Sequence, residues 1–361
     1  MATRGRSSVA LAAVIGLLAG AATWVARPTE EAAACGGFFA MRESEKRKPS
    51  LSYEQVLIVY DEKTSTEHFI RQVTFKEGAT TFGFVVPTPS RPEVAKVATP
   101  PFASLRRQFP FASYGSGLGH GAGSGTGQGF GSGAGSVTVL ETVKVGSFTA
   151  FILAADDNKA LAKWLDDNGL KSTAETDAWL AHYVQLKFYY VAMRYDPPEQ
   201  TEKKDAIKQD NAVKAETIDI SFKTPAPYYP YLEPKHPTNL PVGPRLLELW
   251  FVSQSAMSPI SLLEQDGKRS WVRPLQPGLT HEHARDAIVK ALGADLAKLL
   301  PAGELTLGTF QDQKFSRVGF GDILFAPKEK RTLDEAQRSA LTPLLGILDP
   351  MLLPPKGQET K

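Results

Sequence analysis

Among the 361 residues are one cysteine and six histidines, and chemistry has to be sought first among them. His281 and His283 flank Glu282, an arrangement that holds a metal ion only if the segment is extended, because helical positions two apart diverge. The pattern that follows predicts a helix capped by Thr280, so a solvated helix start is expected there instead of a metal site. His68, His120, His182 and His236 have no cysteine or acidic neighbour at ligand spacing in the sequence. Asp156-Asp157-Asn158 and Asp166-Asp167-Asn168 suggest calcium, yet neither copy has the glycine and glutamate of a calcium loop, and helix capping explains both. No G-x-S-x-G or H-E-x-x-H occurs. Cys35 stands beside a chain end, a poor place to hold a thiolate against a base. Neither a catalytic residue nor a cofactor is expected, although a site assembled in space stays open. Tyr228, Tyr229 and Tyr231, set among Pro225, Pro227, Pro230 and Pro234, are the candidate contact residues. They can stack on a peptide or a sugar, or pack onto the adjacent sheet.

Composition narrows the classes. A 42% hydrophobic content is enough for a sizeable core, and 41 basic against 39 acidic residues lack the basic footprint of a nucleic-acid binder. One cysteine excludes an intramolecular disulfide framework.

The N-terminus is read as an export signal. Arg4 and Arg6 precede the apolar stretch Val9 to Ala22, and Ala32, Ala33 and Ala34 follow a polar spacer. Gly5 separates the arginines, which favours the general secretion route over the twin-arginine one. Residues 1–34 are therefore expected to be removed, giving a periplasmic, envelope-associated or secreted protein that begins at Cys35. A lipid on Cys35 would be its membrane link.

The elements that must position these residues are mostly strands. Gln55 to Tyr60, Glu67 to Phe75 and Thr80 to Val86 predict a three-stranded antiparallel meander, with Pro87, Pro89 and Pro92 ending the pairing. Glycine occupies every second position from Gly115 to Gly135, which reads as a flexible loop over 114–136. Val137 to Val145 and Phe148 to Ala154 predict two strands joined at Gly146, then a helix from Asp157 to Asn168 capped by Asp156. Its buried face should carry Leu161, Trp164 and Leu165. Ser172 and Glu175 predict a capping box for a second helix, with Thr176, Trp179, Leu180 and Tyr183 on one face. Further strands are expected at Phe188 to Met193, Ile218 to Phe222, Leu246 to Val252, Leu305 to Phe310 and Asp322 to Phe325. Pro225 to Pro244 reads as an extended connection. The Thr280 helix should stop at Gly293, and a last helix should start at Thr332. The fold class is α+β, with mostly antiparallel sheet, a few packed helices and the long glycine-rich insert. Its expected parts are a signal peptide 1–34, an N-terminal α+β region 35–235, a C-terminal α+β region 236–345 in the same domain or a second one, and a tail 346–361.

Several of these blocks resemble a known family. Ala34-Cys35-Gly36-Gly37-Phe38-Phe39, the strand running into Phe84-Val85-Val86-Pro87-Thr88-Pro89, the unit from Val145-Gly146-Ser147-Phe148 to Gly169, and Tyr183-Val184 before Phe188 are similar to a family of exported bacterial proteins defined only as a domain of unknown function. The likeness extends from Cys35 to about Pro327, and the glycine insert departs from it. It implies an extracytoplasmic location and carries no catalytic residue.

Together these readings give an exported cell-envelope protein with a non-catalytic binding or scaffolding role. Its expected partner is an envelope protein, peptide or glycan, with no nucleic acid, and with a membrane only through a lipid on Cys35. The alternatives are an extracytoplasmic hydrolase with a spatially assembled site and a lipid-anchored accessory subunit of a membrane complex.

Overall fold

The structure, a computed structural model, describes residues 37–40, 50–76, 82–111, 136–195, 213–234, 246–265, 267–313, 317 and 319–327. The expected export signal, Cys35, the glycine-rich insert, most of the stretch 196–216 and the expected helix start at Thr332 lie outside these residues. What is described is mostly β-sheet with four helices.

Sheet A runs in the order β1 (Gly37–Ala40), β4 (Phe82–Thr88), β8 (Tyr189–Tyr195), β7 (Phe148–Ala155), β6 (Val137–Val145). Sheet B runs β15 (Gln276–His281), β16 (Thr306–Asp312), β12 (Leu246–Ser253), β2 (Ser50–Asp61), β3 (Thr66–Lys76), β10 (Ile218–Lys223), β5 (Glu93–Lys96), with β9 (Val213–Lys214) also on β3. Sheet C runs β11 (Tyr228–Tyr229), β17 (Ile323–Pro327), β13 (Met257–Gln265), β14 (Lys268–Val272). These pairings are antiparallel except β2 with β12, which run parallel and join the N- and C-terminal regions in one sheet.

Sheet B is buried on both faces, which explains why its central strands read as near-continuous apolar runs instead of alternating ones. Val56, Ile58 and Tyr60 of β2 enter a large core shared with sheet A, while Leu57 and Val59 enter a second core. The second core is roofed by α1 (Phe102–Gln108) and α4 (Arg285–Ala297). The first is completed by α2 (Asn158–Asp167) and α3 (Ala174–Gln185).

The hairpin expected around Gly146 forms, β6 pairing antiparallel with β7 with a one-residue register shift between Val139 and Glu141, and Gly146 has φ +58°, the left-handed turn that favours glycine. The cap of α2 is Asp157, one residue later than expected, and its side chain accepts from the Ala160 amide at 2.8 Å. The capping box of α3 belongs to Thr173 and Thr176, yet the predicted buried face of Thr176, Trp179, Leu180 and Tyr183 is correct.

Other expectations are corrected. The meander holds for β2 and β3 only. β4 leaves for sheet A because β10 and β9 take the far edge of β3, and every residue of β4 is buried between β1 and β8. Pro87 remains within β4 opposite Tyr190. The proline-rich connection after it holds β5 and α1. Thr280 caps nothing: with His281 it pairs to β16, so α4 starts at Arg285, and Gly293 kinks that helix instead of stopping it.

Candidate functional site

The tyrosine segment lies inside the protein. Tyr228, Tyr229 and Tyr231 are 2%, 0% and 0% exposed, so their rings are part of the first core and present no stacking surface. The segment after β10 passes between α3 and β17, and each covers one side of it. Tyr228 and Tyr183 donate from their hydroxyls to Asp322 at 2.9 and 3.0 Å, and the Leu232 amide donates to the same carboxylate at 2.8 Å. Trp179 Nε1 donates to the Leu232 carbonyl at 2.9 Å. Burial raises the Asp322 carboxyl above its usual range against these three donors and the nearby His182. Burial also drives the Tyr183 and Tyr228 phenols well up, and the adjacent Asp322 adds to this. Burial lowers His182, against the opposing pull of Asp322.

A second polar group adjoins it. Arg317 Nε bonds Asp312 at 2.9 Å, Nη1 lies 3.6 Å from Glu233, and its guanidinium sits 4.4 Å from the centre of the Tyr231 ring. Tyr231 donates its hydroxyl to Asp312 at 2.8 Å. A third occupies the gap between sheets A and B. Arg71 Nε and Glu54 Oε1 are 2.8 Å apart, both side chains 1% exposed, and the guanidinium lies over Phe84 at 5.0 Å. These are cross-links of the interior: each charge is spent on a neighbour in the fold, and all are enclosed.

His68 Nδ1 lies 2.9 Å from Asp219 Oδ2, with side chains 20% and 12% exposed, and Nε2 has no hydrogen-bond partner among the described residues. Ser221 stands opposite His68 in the β3–β10 register. Sequence spacing hid this pair, since 151 residues separate its members and only the pairing of β3 with β10 joins them. His281 ends β15 and its ring meets Phe109 edge-on at 4.9 Å, whereas His283, at φ +49°, pairs with Glu304 at 3.3 Å. The two histidines thus take separate partners. Among the described residues no three His, Cys, Asp or Glu side chains cluster as a metal site. Asp166 Oδ1 accepts from the Ser172 amide at 2.8 Å, the helix-end role its position suggested.

The described surface offers one further feature, which sequence patterning missed. Trp271, at 39% one of four large apolar side chains exposed, lies on β14, the outer strand of sheet C. The strand and its flank read Lys268-Arg269-Ser270-Trp271-Val272-Arg273. The signal for it was this run of cations around one tryptophan.

Comparison with known proteins adds a family. Residues 29–230 match the model of the family described as "Uncharacterized protein conserved in bacteria (DUF2330)", a match ending at β11, short of Pro327. No curated protein matches the chain. A solved structure, that of baculovirus P35, aligns with a TM-score of 0.32 and 9% identity over 80% of this chain and 94% of its own, a likeness too weak to bear on fold or function. With more than half of its length matched, the chain belongs to the DUF2330 family of bacterial proteins.

Proposed function

We propose that this is an exported cell-envelope protein whose role is binding or scaffolding. One observation carries the choice of binding over catalysis. The acid–phenol and acid–arginine links Tyr–Asp322, Arg317–Asp312 and Arg71–Glu54 are closed into the core, while an exposed tryptophan stands on a cationic edge strand. The export part rests on the sequence of residues 1–34. Mass spectrometry of the N-terminus of protein from the envelope fraction tests it. A mature chain beginning at or near Cys35 is expected, an intact Met1 would overturn export, and a diacylglyceryl mass on Cys35 would select the lipid-anchored subunit.

The second reading, a hydrolase, draws on His68. With Nδ1 on Asp219, its Nε2 is left as a general base, and Ser221 is the nearest cross-strand hydroxyl in register. Labelling by a fluorophosphonate that Ser221→Ala abolishes would establish this reading and remove the non-catalytic one.

A further inference from the structure

We infer that the outer edge of β14 is a docking site for an extended acidic peptide segment of a partner, which adds as the next strand of sheet C. This deepens the binding reading and rests on it. Among the described residues β14 pairs with β13 alone, and no backbone partner among them takes up its other side. β13 is occupied on its other side by β17 and by the backbone near Phe320, which leaves β14 as the growing edge.

Lysine on an edge strand is the ordinary device against unwanted pairing. A guard of that kind does not account for Trp271. Its ring is 39% exposed at the fourth of five strand positions, opposite Leu262, where an edge built only to repel would carry charge. Lys268 and Arg273 are both exposed, one at each end of the tryptophan's strand, and neither has an ion-pair partner among the described residues. An edge that offers backbone hydrogen bonds, one aromatic platform and terminal cations fits an extended chain with acidic side chains flanking an apolar one. An anionic lipid surface shares the charge and the affinity for tryptophan, but it has no repeating amides to match the strand, and the peptide is therefore favoured.

The test uses the mature chain from Cys35 and a synthetic ten-residue peptide library alternating valine or threonine with glutamate or aspartate. Expected are binding that weakens with added salt, slowed amide exchange at residues 268–272, and about tenfold weaker affinity in Trp271→Ala and in Arg273→Glu, the loss typical of one interface anchor. Unchanged affinity in Trp271→Ala, protection located elsewhere, or no library member binding would each overturn the proposal. Binding to phosphatidylglycerol vesicles in place of the peptides would transfer the edge to a membrane role. A mature N-terminus at Cys35 without peptide binding removes this site and leaves the envelope reading standing.

Discussion

Glu67 Oε2 accepts the backbone amide of Tyr228 at 2.7 Å, a contact spanning 161 residues that holds the tyrosine segment against β3. Glu67 is 0% exposed, and Oε1 has no hydrogen-bond partner among the described residues. Burial raises its carboxyl well above the usual range, and the single amide bond does not offset this.

The pH dependence follows from that direction. An acid whose folded value is raised binds its proton more tightly in the folded chain, so its contribution is most favourable below the ordinary value of 4.5 and is lost as pH rises towards the raised one. Glu67→Gln keeps an oxygen for the Tyr228 amide and carries no charge. It should stabilise the protein by about 1–3 kcal/mol at neutral pH and by little at pH 4. Urea denaturation at the two pH values measures the difference, and an equal effect at both would mean that folding does not raise the Glu67 carboxyl.

Arg71 and Glu54 yield the opposite kind of result. Their ion pair closes to 2.8 Å without hydrogen-bond alignment, and Arg71 Nη1 and Nη2 find no hydrogen-bond partner among the described residues. Removing one member strands a buried charge, so Arg71→Met should cost about 3–5 kcal/mol. The Arg71→Met/Glu54→Met double variant should recover most of that loss, because two apolar side chains suit the surrounding phenylalanines. A double variant as unstable as the single one would show that the pair is worth more than its desolvation.

How far the sequence foretold this structure depends on the range of the interactions concerned. The β6–β7 hairpin, α2, α3 and β8 were legible because the Gly146 turn, the capping residues before each helix (read one position early, at Asp156 and Ser172) and the helical spacing of Trp179, Leu180 and Tyr183 act within a few residues. The departure of β4 and the parallel pairing of β2 with β12 depend on which distant strand competes for an edge, and no local pattern encodes that. The tyrosines show the same limit. Proline and tyrosine spacing announces an extended segment, but its burial comes from α3 and β17 closing over it. His68 with Asp219 was hidden for the same reason.

Asp322 should matter more than either phenol it holds. Tyr228→Phe removes one donor and leaves the carboxylate with Tyr183 and Leu232, so a loss of about 0.5–1.5 kcal/mol is expected. Asp322→Ala strands two hydroxyls and an amide together and should cost at least about 3 kcal/mol. Thermal denaturation of the two variants decides it. Similar losses would mean that water replaces the carboxylate at little cost.

Helix α2 separates core from surface within a few positions. Sequence periodicity placed Trp164 beside Leu161 and Leu165 on the buried face; the structure closes the leucines off, both 0% exposed, and packs Trp164 against the same core without burying it fully. Trp164 is half-buried, its ring edge-on to Phe151 of β7 at 5.2 Å. Leu161→Ala opens a cavity in a closed core and should cost about 2–5 kcal/mol. Trp164→Ala forfeits one aromatic pair and part of a ring's burial, roughly 1–2 kcal/mol. Lys163→Ala breaks only the exposed pair with Asp167 at 2.5 Å, whose side chains are 75% and 60% exposed, and should change stability by less than about 0.5 kcal/mol. Urea denaturation of the three variants should rank them in that order. A Trp164→Ala loss as large as that of Leu161→Ala would place the tryptophan in the core, and one as small as that of Lys163→Ala would free its ring for contact with a partner.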